Sequence, residues 1–403
     1  MIQVAVMGYG TIGSGVVEIL ERNRKKIAEA VKEEVHVKYV LDLREFPGSP
    51  VENKIVHDFS VIEADPEISM VVETMGGLNP AYKFVKACLE AGKHVATSNK
   101  ALVAAYGTEL LQIAASRNVN FFFEASVGGG IPIIRPLYTN LAGEEIQEIT
   151  GILNGTTNYI LTKMDKEKAT FESALREAQE LGYAERNPEA DVEGHDTCRK
   201  IAILTAMATG HEVDYQEIYT EGITGITDVD FRYADSMGTS IKLFGSSRME
   251  EGMVHAWVAP VMIGPSHPLY SVSDVYNGIL VKGNMLGTAM FYGSGAGKLP
   301  TASAVVADMI EALTSKGHAV MGWDDNRLKL DHMKGSRSRF FVRIKGTAQE
   351  RQEEAREVFG PIQVIELEHL DEFAVITEVM TEEEYENKAA CLQGIRQRIR
   401  AEI

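Results

Sequence analysis

The sequence is poor in cysteine. Its 403 residues include only Cys88, Cys198 and Cys391, which are scattered along the chain and form no CxxC pair. An odd, dispersed set of thiols argues against a disulfide framework and favours a reducing compartment. We therefore expect a cytoplasmic protein.

Basic residues and long apolar runs are also scarce. Lysine and arginine number 40 against 58 aspartates and glutamates, which gives a formal net charge of -18 and disfavours nucleic acid or an anionic membrane as a partner. The N-terminus, MIQVAVMGYG, does not resemble a signal peptide, and no uninterrupted apolar run reaches the roughly 18 residues of a membrane span. A chain of this length predicts two or three soluble domains.

Strand and helix patterns alternate through the first 130 or so residues. Apolar runs such as IQVAVM and SMVVET are separated by amphipathic stretches such as AYKFVKACLEAGK, which predicts an α/β Rossmann-type doubly wound parallel sheet. From about residue 145 the mixture of signals predicts an α+β second domain. The polar composition of residues 324–336 predicts a linker. The pattern of residues 337–403 predicts a small separate domain with the order β-α-β-β-α.

A glycine-rich turn, GYGTIGSG, follows the first strand and opens a helix. Gly8, Gly10 and Gly13 have the GxGxxG spacing, which permits a tight turn, close approach of a pyrophosphate, and close packing of helix on strand. The N-terminus of the helix offers free N–H groups to the phosphates. The position of GYGTIGSG directly after the first strand favours a dinucleotide site over a glycine turn without a ligand.

Asp42 ends the second apolar run, VHVKYVLD. A carboxylate there can accept hydrogen bonds from an adenosine ribose and would repel a 2′-phosphate, which favours NAD over NADP. Lys38 and Arg44 lie close in sequence and could reverse that preference. Because Asp42 lies further from Gly13 than the usual spacing of about 20 residues, a turn aspartate without a ligand is the alternative.

Two further turns are predicted at the same edge of the sheet. ETMGGLNPA places Gly76 and Gly77 after the third run, and TSNKA places Asn99 and Lys100 after the next. Dinucleotides lie at the carboxyl ends of such strands, which favours a functional Lys100 over a surface lysine.

The stretch EASVGGGIPII has three consecutive glycines followed closely by a proline. Such a backbone can form a tight hinge between domains, or it can direct carbonyl oxygens at a hard cation with Glu124 as the anionic ligand. The residues alone favour the hinge.

GILNGTTNYIL reads as a strand that ends at Asn154-Gly155-Thr156 and is followed by a helix. The amide and hydroxyl groups at the start of that helix either hold a carboxylate or only cap the helix.

The stretch GYAERNPEADVEGHDTCRK, residues 182–200, is rich in carboxylates and ends in a lysine. Asp196 and Lys200 are four residues apart and share one face of a helix that continues as an apolar run. A buried lysine there suits proton transfer, whereas an exposed pair would be an ordinary surface ion pair. The surplus carboxylates suit a substrate with an ammonium group.

Together these motifs resemble the homoserine dehydrogenase family in order and spacing over about residues 1–325, with GAGKLPTASAVVAD as a further match. The resemblance implies NAD(P)-dependent interconversion of L-aspartate 4-semialdehyde and L-homoserine. It implies a Rossmann domain over 1–131 and a catalytic and dimerisation domain over 132–323, with a helix at about 300–316 packing back on the first domain. Residues 337–403 separately resemble an ACT domain through their β-α-β-β-α pattern. A homodimer or homotetramer and L-threonine as effector are further expectations.

The resemblance also assigns roles to individual residues. Lys200 would give a proton to the aldehyde oxygen during reduction and act as the base in the reverse direction. Catalytic roles fall on Lys200, Asp196 and Lys100, and substrate binding falls on Glu185, Asp191, Asp196, Gly155 and Thr156. Cofactor contacts fall on Gly8, Gly10, Thr11, Ile12, Gly13, Asp42, Gly76, Lys100 and Gly297. The family's structural sodium site matches Glu124 and the carbonyls of Val127, Gly129 and Ile131, which favours a cation over the hinge alone.

Some positions depart from the family pattern. Leu41 stands where many members carry an arginine suited to NADP, which leaves the cofactor preference open, and Arg186-Asn187 replace a common Ala-Asp. Two alternatives are also compatible with these residues: a Rossmann dehydrogenase of another amino-acid aldehyde or imine, and a catalytically silent NAD(P)-binding sensor.

Overall fold

The computed structural model describes residues 1–250, 252–315, 317–319 and 321–403. The N-terminal part forms a six-stranded parallel sheet in the order β3-β2-β1-β4-β5-β6. Its strands are β1 (Ile2–Met7), β2 (Val35–Leu41), β3 (Ile55–Val56), β4 (Ile68–Glu73), β5 (His94–Thr97) and β6 (Phe121–Phe122). Its helices are α1 (Thr11–Arg22), α2 (Arg24–Val31), α3 (Ser60–Ala64), α4 (Ala81–Glu90) and α5 (Lys100–Arg117).

The order of these strands reverses between β1 and β4. The chain leaves β1 toward β2 and β3, then returns to the other side of β1 as β4. In open α/β sheets, ligands bind outside the carboxyl ends of the strands at such a reversal. The predicted doubly wound fold is confirmed, and it directs attention to the residues that follow β1, β4 and β5.

The rest of the chain is organised around an eleven-stranded sheet. Nine strands follow the order β13-β12-β7-β10-β11-β19-β15-β17-β16, and β9 and β18 pair beside them. Up to α12 the elements are α6 (Ile134–Tyr138), β7 (Ile146–Ile152), α7 (Gly155–Glu167), α8 (Phe171–Glu180), α9 (Glu189–Val192), α10 (His195–Thr209), β8 (His211–Glu212), β9 (Tyr219–Thr220), α11 (Asp228–Ser236), β10 (Ser240–Glu250), β11 (Met253–Ile263), β12 (Tyr276–Gly283), β13 (Gly287–Ser294) and α12 (Lys298–Thr314). The remainder are β14 (Asp324–Arg327), β15 (Arg337–Lys345), α13 (Ala348–Phe359), β16 (Ile362–Glu366), β17 (Glu372–Thr377), β18 (Met380–Thr381), α14 (Glu382–Ala389) and β19 (Ile395–Glu402).

The C-terminal segment differs from its prediction in two ways. It ends in a strand, β19, where the sequence was read as helix, because Gly394 adopts a positive φ of 81° after α14. It is also not a separate layer, since β19 pairs in parallel with β11 from Val261↔Arg400 to Ile263↔Glu402. The segment keeps a core of its own, which includes Phe340 and Phe373, but its strands continue the central sheet.

Ion pairs made by two buried arginines reinforce this junction. Arg343 Nη1 lies 2.8 Å from Asp230 Oδ1, and Arg400 Nη1 lies 3.0 Å from Glu221 Oε2. Both arginines are nearly inaccessible to solvent. Because each carboxylate belongs to the central part of the chain, the C-terminal segment supplies cations that neutralise charges outside itself.

The predicted linker, residues 324–336, is anchored to its neighbours. β14 pairs with β8, and the Leu328 amide donates to the Glu212 carbonyl at 2.7 Å. The Asp331 amide donates to the Val254 carbonyl at 2.9 Å. The polar composition of the segment therefore reflects a surface course across the central part.

Helix α12 returns from the second part to the first and packs on α1. Its Ala302 lies so close to Gly15 that a Cβ atom on that glycine would stand 2.9 Å from the Ala302 methyl. Lys298 Nζ and Glu18 form an ion pair at 2.8 Å across the same contact. The two parts thus meet along a helix pair beside the glycine-rich turn. In the part of the chain that the structure describes, no helix has the length and hydropathy to cross a membrane.

Candidate active site

A cavity of about 690 Å³ lies between the carboxyl edge of the parallel sheet and the starts of α7 and α10. It collects most of the residues that the sequence proposed for chemistry and substrate binding: Lys100, Gly155, Thr156, Glu185, Asp191, Asp196 and Lys200. Among the other proposed residues, Ile12, Val127, Gly129 and Gly297 also line it. Those that do not line it are Gly8, Gly10, Thr11, Gly13, Asp42, Gly76, Glu124 and Ile131.

The glycine-rich turn has the close packing that its spacing predicts. Gly8 has a φ of 93°, and a Cβ atom on Gly13 would collide with the Gly8 carbonyl oxygen. Nothing lies within 4 Å of the Cβ position of Gly10, which precedes α1. The turn therefore leaves open space at the N-terminus of α1, where a pyrophosphate fits.

Asp42 lies against this turn. Its carboxylate accepts the Tyr9 amide at 2.8 Å and two hydrogen bonds from the Arg44 guanidinium, each at 3.0 Å. The Arg44 guanidinium holds the pKa of Asp42 well below its usual range. Lys38 is committed elsewhere, since its ammonium lies 2.6 Å from both Asp65 and Glu67. Of the two cations considered from the sequence, only Arg44 is therefore at the adenosine end of the site.

Lys200 and Asp196 form a buried pair on α10. Lys200 Nζ lies 2.9 Å from Asp196 Oδ2 and donates to the Leu153 carbonyl at 2.7 Å. Lys200 is 7% exposed and Asp196 is 2% exposed. Lys100, the first residue of α5, pairs with the other oxygen of Asp196 from the Rossmann side. One carboxylate thus joins two lysines from the two halves of the chain.

The two lysines differ in their proton affinity. Burial lowers the pKa of Lys200, and the attraction of Asp196 offsets this only in part because the positive charge of Lys100 also lowers it. Burial acts against the charge of Lys100 as well, but Asp196 outweighs it and raises the pKa of Lys100. Burial would also raise the pKa of Asp196, but the two ammonium groups hold that pKa below its usual value. The surroundings therefore favour the charged form of Lys100 and disfavour that of Lys200.

Asn154 organises the acidic side of the site, a role that the sequence did not reveal. Its amide donates to Asp191 Oδ1 at 2.8 Å and to Asp196 Oδ2 at 2.9 Å, while its carbonyl oxygen accepts the Thr157 amide at 2.8 Å. Burial raises the pKa of Asp191. One side chain therefore caps α7 and fixes the spacing of two carboxylates.

The predicted substrate residues at the mouth of the cavity are less constrained. The Thr156 hydroxyl donates to the Tyr183 carbonyl at 2.6 Å, which ties α7 to the loop after α8. Glu185 is exposed on that loop, and no described residue pairs with its carboxylate. The Glu185 carboxylate is thus available to a cationic ligand.

Glu124 has a structural role that the sequence did not predict. Its carboxylate accepts the amides of Ile133 at 2.6 Å, Ile134 at 2.8 Å and Arg135 at 2.7 Å. The residue is buried, so it caps the start of α6 inside the protein. Within the described ranges, no three His, Cys, Asp or Glu side chains are grouped to hold a metal ion. Any cation at the turn formed by residues 124–134, EASVGGGIPII, would depend mainly on backbone carbonyls.

Two family descriptions match successive parts of this chain. The family description "Homoserine dehydrogenase, NAD binding domain" matches residues 8–124, and "Homoserine dehydrogenase" matches residues 132–310. The homoserine dehydrogenase of Synechocystis is 45% identical over 77% of this chain and 72% of its own length. That of Bacillus subtilis is 39% identical over 80% of this chain and 75% of its own length.

Solved structures extend the similarity to the whole chain. A homoserine dehydrogenase from Thiobacillus denitrificans superposes with a TM-score of 0.91 at 33% identity, covering 100% of this chain and 98% of that one. The S. aureus homoserine dehydrogenase at pH 6.5 superposes with a TM-score of 0.83 at 33% identity, covering 100% and 99%. The chain therefore belongs to the homoserine dehydrogenase family and is an NAD(P)-dependent oxidoreductase.

Proposed function

We propose that the protein interconverts L-aspartate 4-semialdehyde and L-homoserine, with Lys200 as the group that donates and accepts the proton. The buried Lys200–Asp196 pair at the cavity between the Rossmann edge and the acidic loop carries this proposal. A bound nicotinamide dinucleotide supplies the hydride for reduction and accepts it in oxidation. The glycine-rich turn, Asp42 and the start of α1 would hold that dinucleotide.

Lys200 balances the charge on the substrate oxygen. During reduction, its ammonium gives a proton to the oxygen as the aldehyde carbon gains a hydride, and the alcohol leaves Lys200 neutral. During oxidation, the neutral amine takes the hydroxyl proton as the same carbon loses its hydride. Burial lowers the pKa of Lys200, which makes its proton easier to release than that of an exposed lysine.

The remaining residues orient an amino-acid substrate. Asp191 and Glu185 would bind its ammonium group, and Asp196 keeps Lys200 in place. Asn154 satisfies the Thr157 amide, which leaves the Gly155 and Thr156 amides at the start of α7 for the substrate carboxylate. Lys100 would contact both substrate and nicotinamide, since it joins Asp196 from the sheet that holds the dinucleotide.

A structural sodium ion is a further part of the proposal. The turn formed by residues 124–134 is irregular and includes the carbonyls of Val127, Gly129 and Ile131. These carbonyls accept no hydrogen bond from the residues that the structure describes. Oxygen-only ligation suits an alkali or alkaline-earth cation. Hydride transfer needs no metal electrophile, so the ion would hold the turn in shape.

We also propose regulation and assembly in the cytoplasm. The C-terminal segment is proposed to act as an ACT-like module that responds to L-threonine, which its βαββαβ order, with the two-residue β18 added before the second helix, supports. A homodimer or homotetramer is supported by apolar side chains exposed on β12–β13 and their turn, such as Met285 and Tyr292. Free thiols at all three cysteines suit a reducing compartment.

The direct test is a steady-state assay of homoserine oxidation with NAD and NADP side by side, with and without threonine. Turnover of homoserine by the wild-type protein and its loss in Lys200→Ala would support the proposal. Dinucleotide binding without turnover of homoserine would refute it. A panel of other amino-acid alcohols would then identify the actual substrate.

A further inference from the structure

Glu73 is a buried carboxylate at the carboxyl edge of the parallel sheet. It is the last residue of β4 and is 0% exposed. No described lysine or arginine pairs with it, and its partners are backbone amides and one hydroxyl. Burial raises the pKa of Glu73, as expected where no cation compensates the charge. Such a group is costly to bury, so its position calls for a specific role.

The Glu73 carboxylate closes the turn that follows β4. Its Oε1 accepts the Met75 amide at 2.7 Å and the Gly76 amide at 3.3 Å. Gly76 and Gly77 both have positive φ values, 77° and 68°. This turn lies beside the glycine-rich turn after β1, and a Cβ atom on Gly8 would stand 3.1 Å from Met75. Glu73 therefore shapes one wall of the proposed dinucleotide site.

The other carboxylate oxygen reaches the turn after β5. Thr97 donates its hydroxyl to Glu73 Oε2 at 2.5 Å, and the Thr97 oxygen accepts the Asn99 amide at 2.9 Å. The Asn99 side chain accepts the Leu102 amide at 3.1 Å and donates to the Gly77 carbonyl at 2.6 Å. Asn99 is thus held at both ends, immediately before Lys100.

We propose that Glu73 is a positioning residue: its buried carboxylate fixes the turn beside the dinucleotide site and, through Thr97 and Asn99, the start of the helix that carries Lys100. The Lys100 ammonium meets Asp196 across the cavity, so a small rotation of the first turn of α5 moves Lys100 relative to Asp196. Glu73 contacts neither substrate nor the reacting atoms. This role rests on the proposed function, because Lys100 acts there on homoserine.

Two conservative variants test the role. Glu73→Gln keeps the shape but removes the charge, and Thr97→Val removes only the hydroxyl that links the two turns. Loss of one buried hydrogen bond to a charged group is expected to lower kcat for homoserine oxidation about 10-fold in each variant. Fluorescence titration with NADH is expected to show weaker binding in Glu73→Gln. Glu90→Gln is the control, because it makes the same chemical change at an exposed position, the end of α4, on the same parallel-sheet domain.

A double-mutant cycle separates positioning from general destabilisation. If Glu73 acts through Lys100, adding Glu73→Gln or Thr97→Val to Lys100→Met changes kcat by less than about 2-fold, the usual error of additivity. Full, independent losses in the Lys100→Met background would overturn the proposal. A wild-type kcat in Thr97→Val would also overturn the proposal. If Glu73→Gln does not fold, Thr97→Val alone tests the proposal. Homoserine oxidation by the wild-type protein is measured first, and its absence would count against the proposed function. In that case NADH titration of Glu73→Gln would still test whether Glu73 shapes the turn after β4.

Discussion

Lys200 Nζ lies 2.9 Å from Asp196 Oδ2, one helical turn earlier on α10, in a site where both residues are buried. Lys200→Ala removes the proton donor and leaves the dinucleotide turn intact. We expect kcat in both directions to fall about 100-fold or more, the usual contribution of general acid–base catalysis. NADH titration should give an unchanged dissociation constant. Near-normal turnover would remove Lys200 from the mechanism, and Lys334→Ala, on the exposed surface, is the control.

The pH profile should follow the proton on Lys200. Oxidation uses the neutral amine, so its kcat rises as the pH passes through the Lys200 pKa; reduction uses the ammonium, so its kcat falls there. Because burial lowers that pKa, both changes should occur below the ordinary lysine range. Asp196→Asn removes the anion that supports the ammonium and should move the midpoint to lower pH. An unmoved midpoint in Asp196→Asn, with Glu189→Gln as control, would contradict this assignment.

Cofactor preference should depend on Arg44. Its guanidinium is the cation that meets Asp42, and it is 62% exposed and able to turn toward a 2′-phosphate. Arg44→Ala is expected to lower kcat/KM with NADP by about 10-fold, as for a lost charge-assisted hydrogen bond. The value with NAD should change much less. Arg22→Ala, an exposed change on the same domain, is the control, and equal losses with both cofactors would argue against this role.

Glu124 should matter for stability whether or not a cation is present. Glu124→Ala leaves three amides without their acceptor, two of them buried, and each unsatisfied buried group costs about 1–3 kcal/mol. We therefore expect a clear fall in the thermal midpoint. Glu45→Ala, an exposed change, should leave the midpoint nearly unchanged. A Glu124→Ala protein as stable as the wild type would show that water replaces the carboxylate.

Removal of sodium tests the proposed cation. Exchange of sodium for choline at constant ionic strength should lower the thermal midpoint, because an ion that binds the folded state at about 100 times its dissociation constant contributes about 2.7 kcal/mol. Tetramethylammonium should act like choline. Identical midpoints in all three salts would leave the turn without a specific cation.

The sequence predicted the parts of the fold that depend on local pattern. The parallel sheet and the turns after β1, β4 and β5 followed from apolar runs and glycine spacing, and the Asp196–Lys200 pair followed from helical periodicity. Strand β19 was missed because the helical pattern of α14 was extended through Gly394, although the alternation in IRQRIRAE is the period-2 pattern of a strand. Arg400 is buried and pairs with Glu382, which is 18 residues away in the sequence and is brought near only by the fold.

The roles of Glu73 and Asn154 could not be read from the sequence for a related reason. Each depends on bonds between segments that are distant in the chain, such as Asn154 with Asp191 and Asp196. A glutamate that ends an otherwise apolar parallel strand was a usable signal for Glu73. Nothing in the local pattern distinguished Asn154 from an ordinary helix cap.

The shared sheet makes truncation a poor way to study the C-terminal segment. A protein cut before residue 337 would expose the edge of β11 that β19 now covers, and open strand edges promote aggregation. It would also leave Asp230, a fully buried carboxylate, without the cation supplied by Arg343. Inactivity of such a fragment would report on precipitation and charge burial, so allosteric control is better sought with point substitutions in the intact chain.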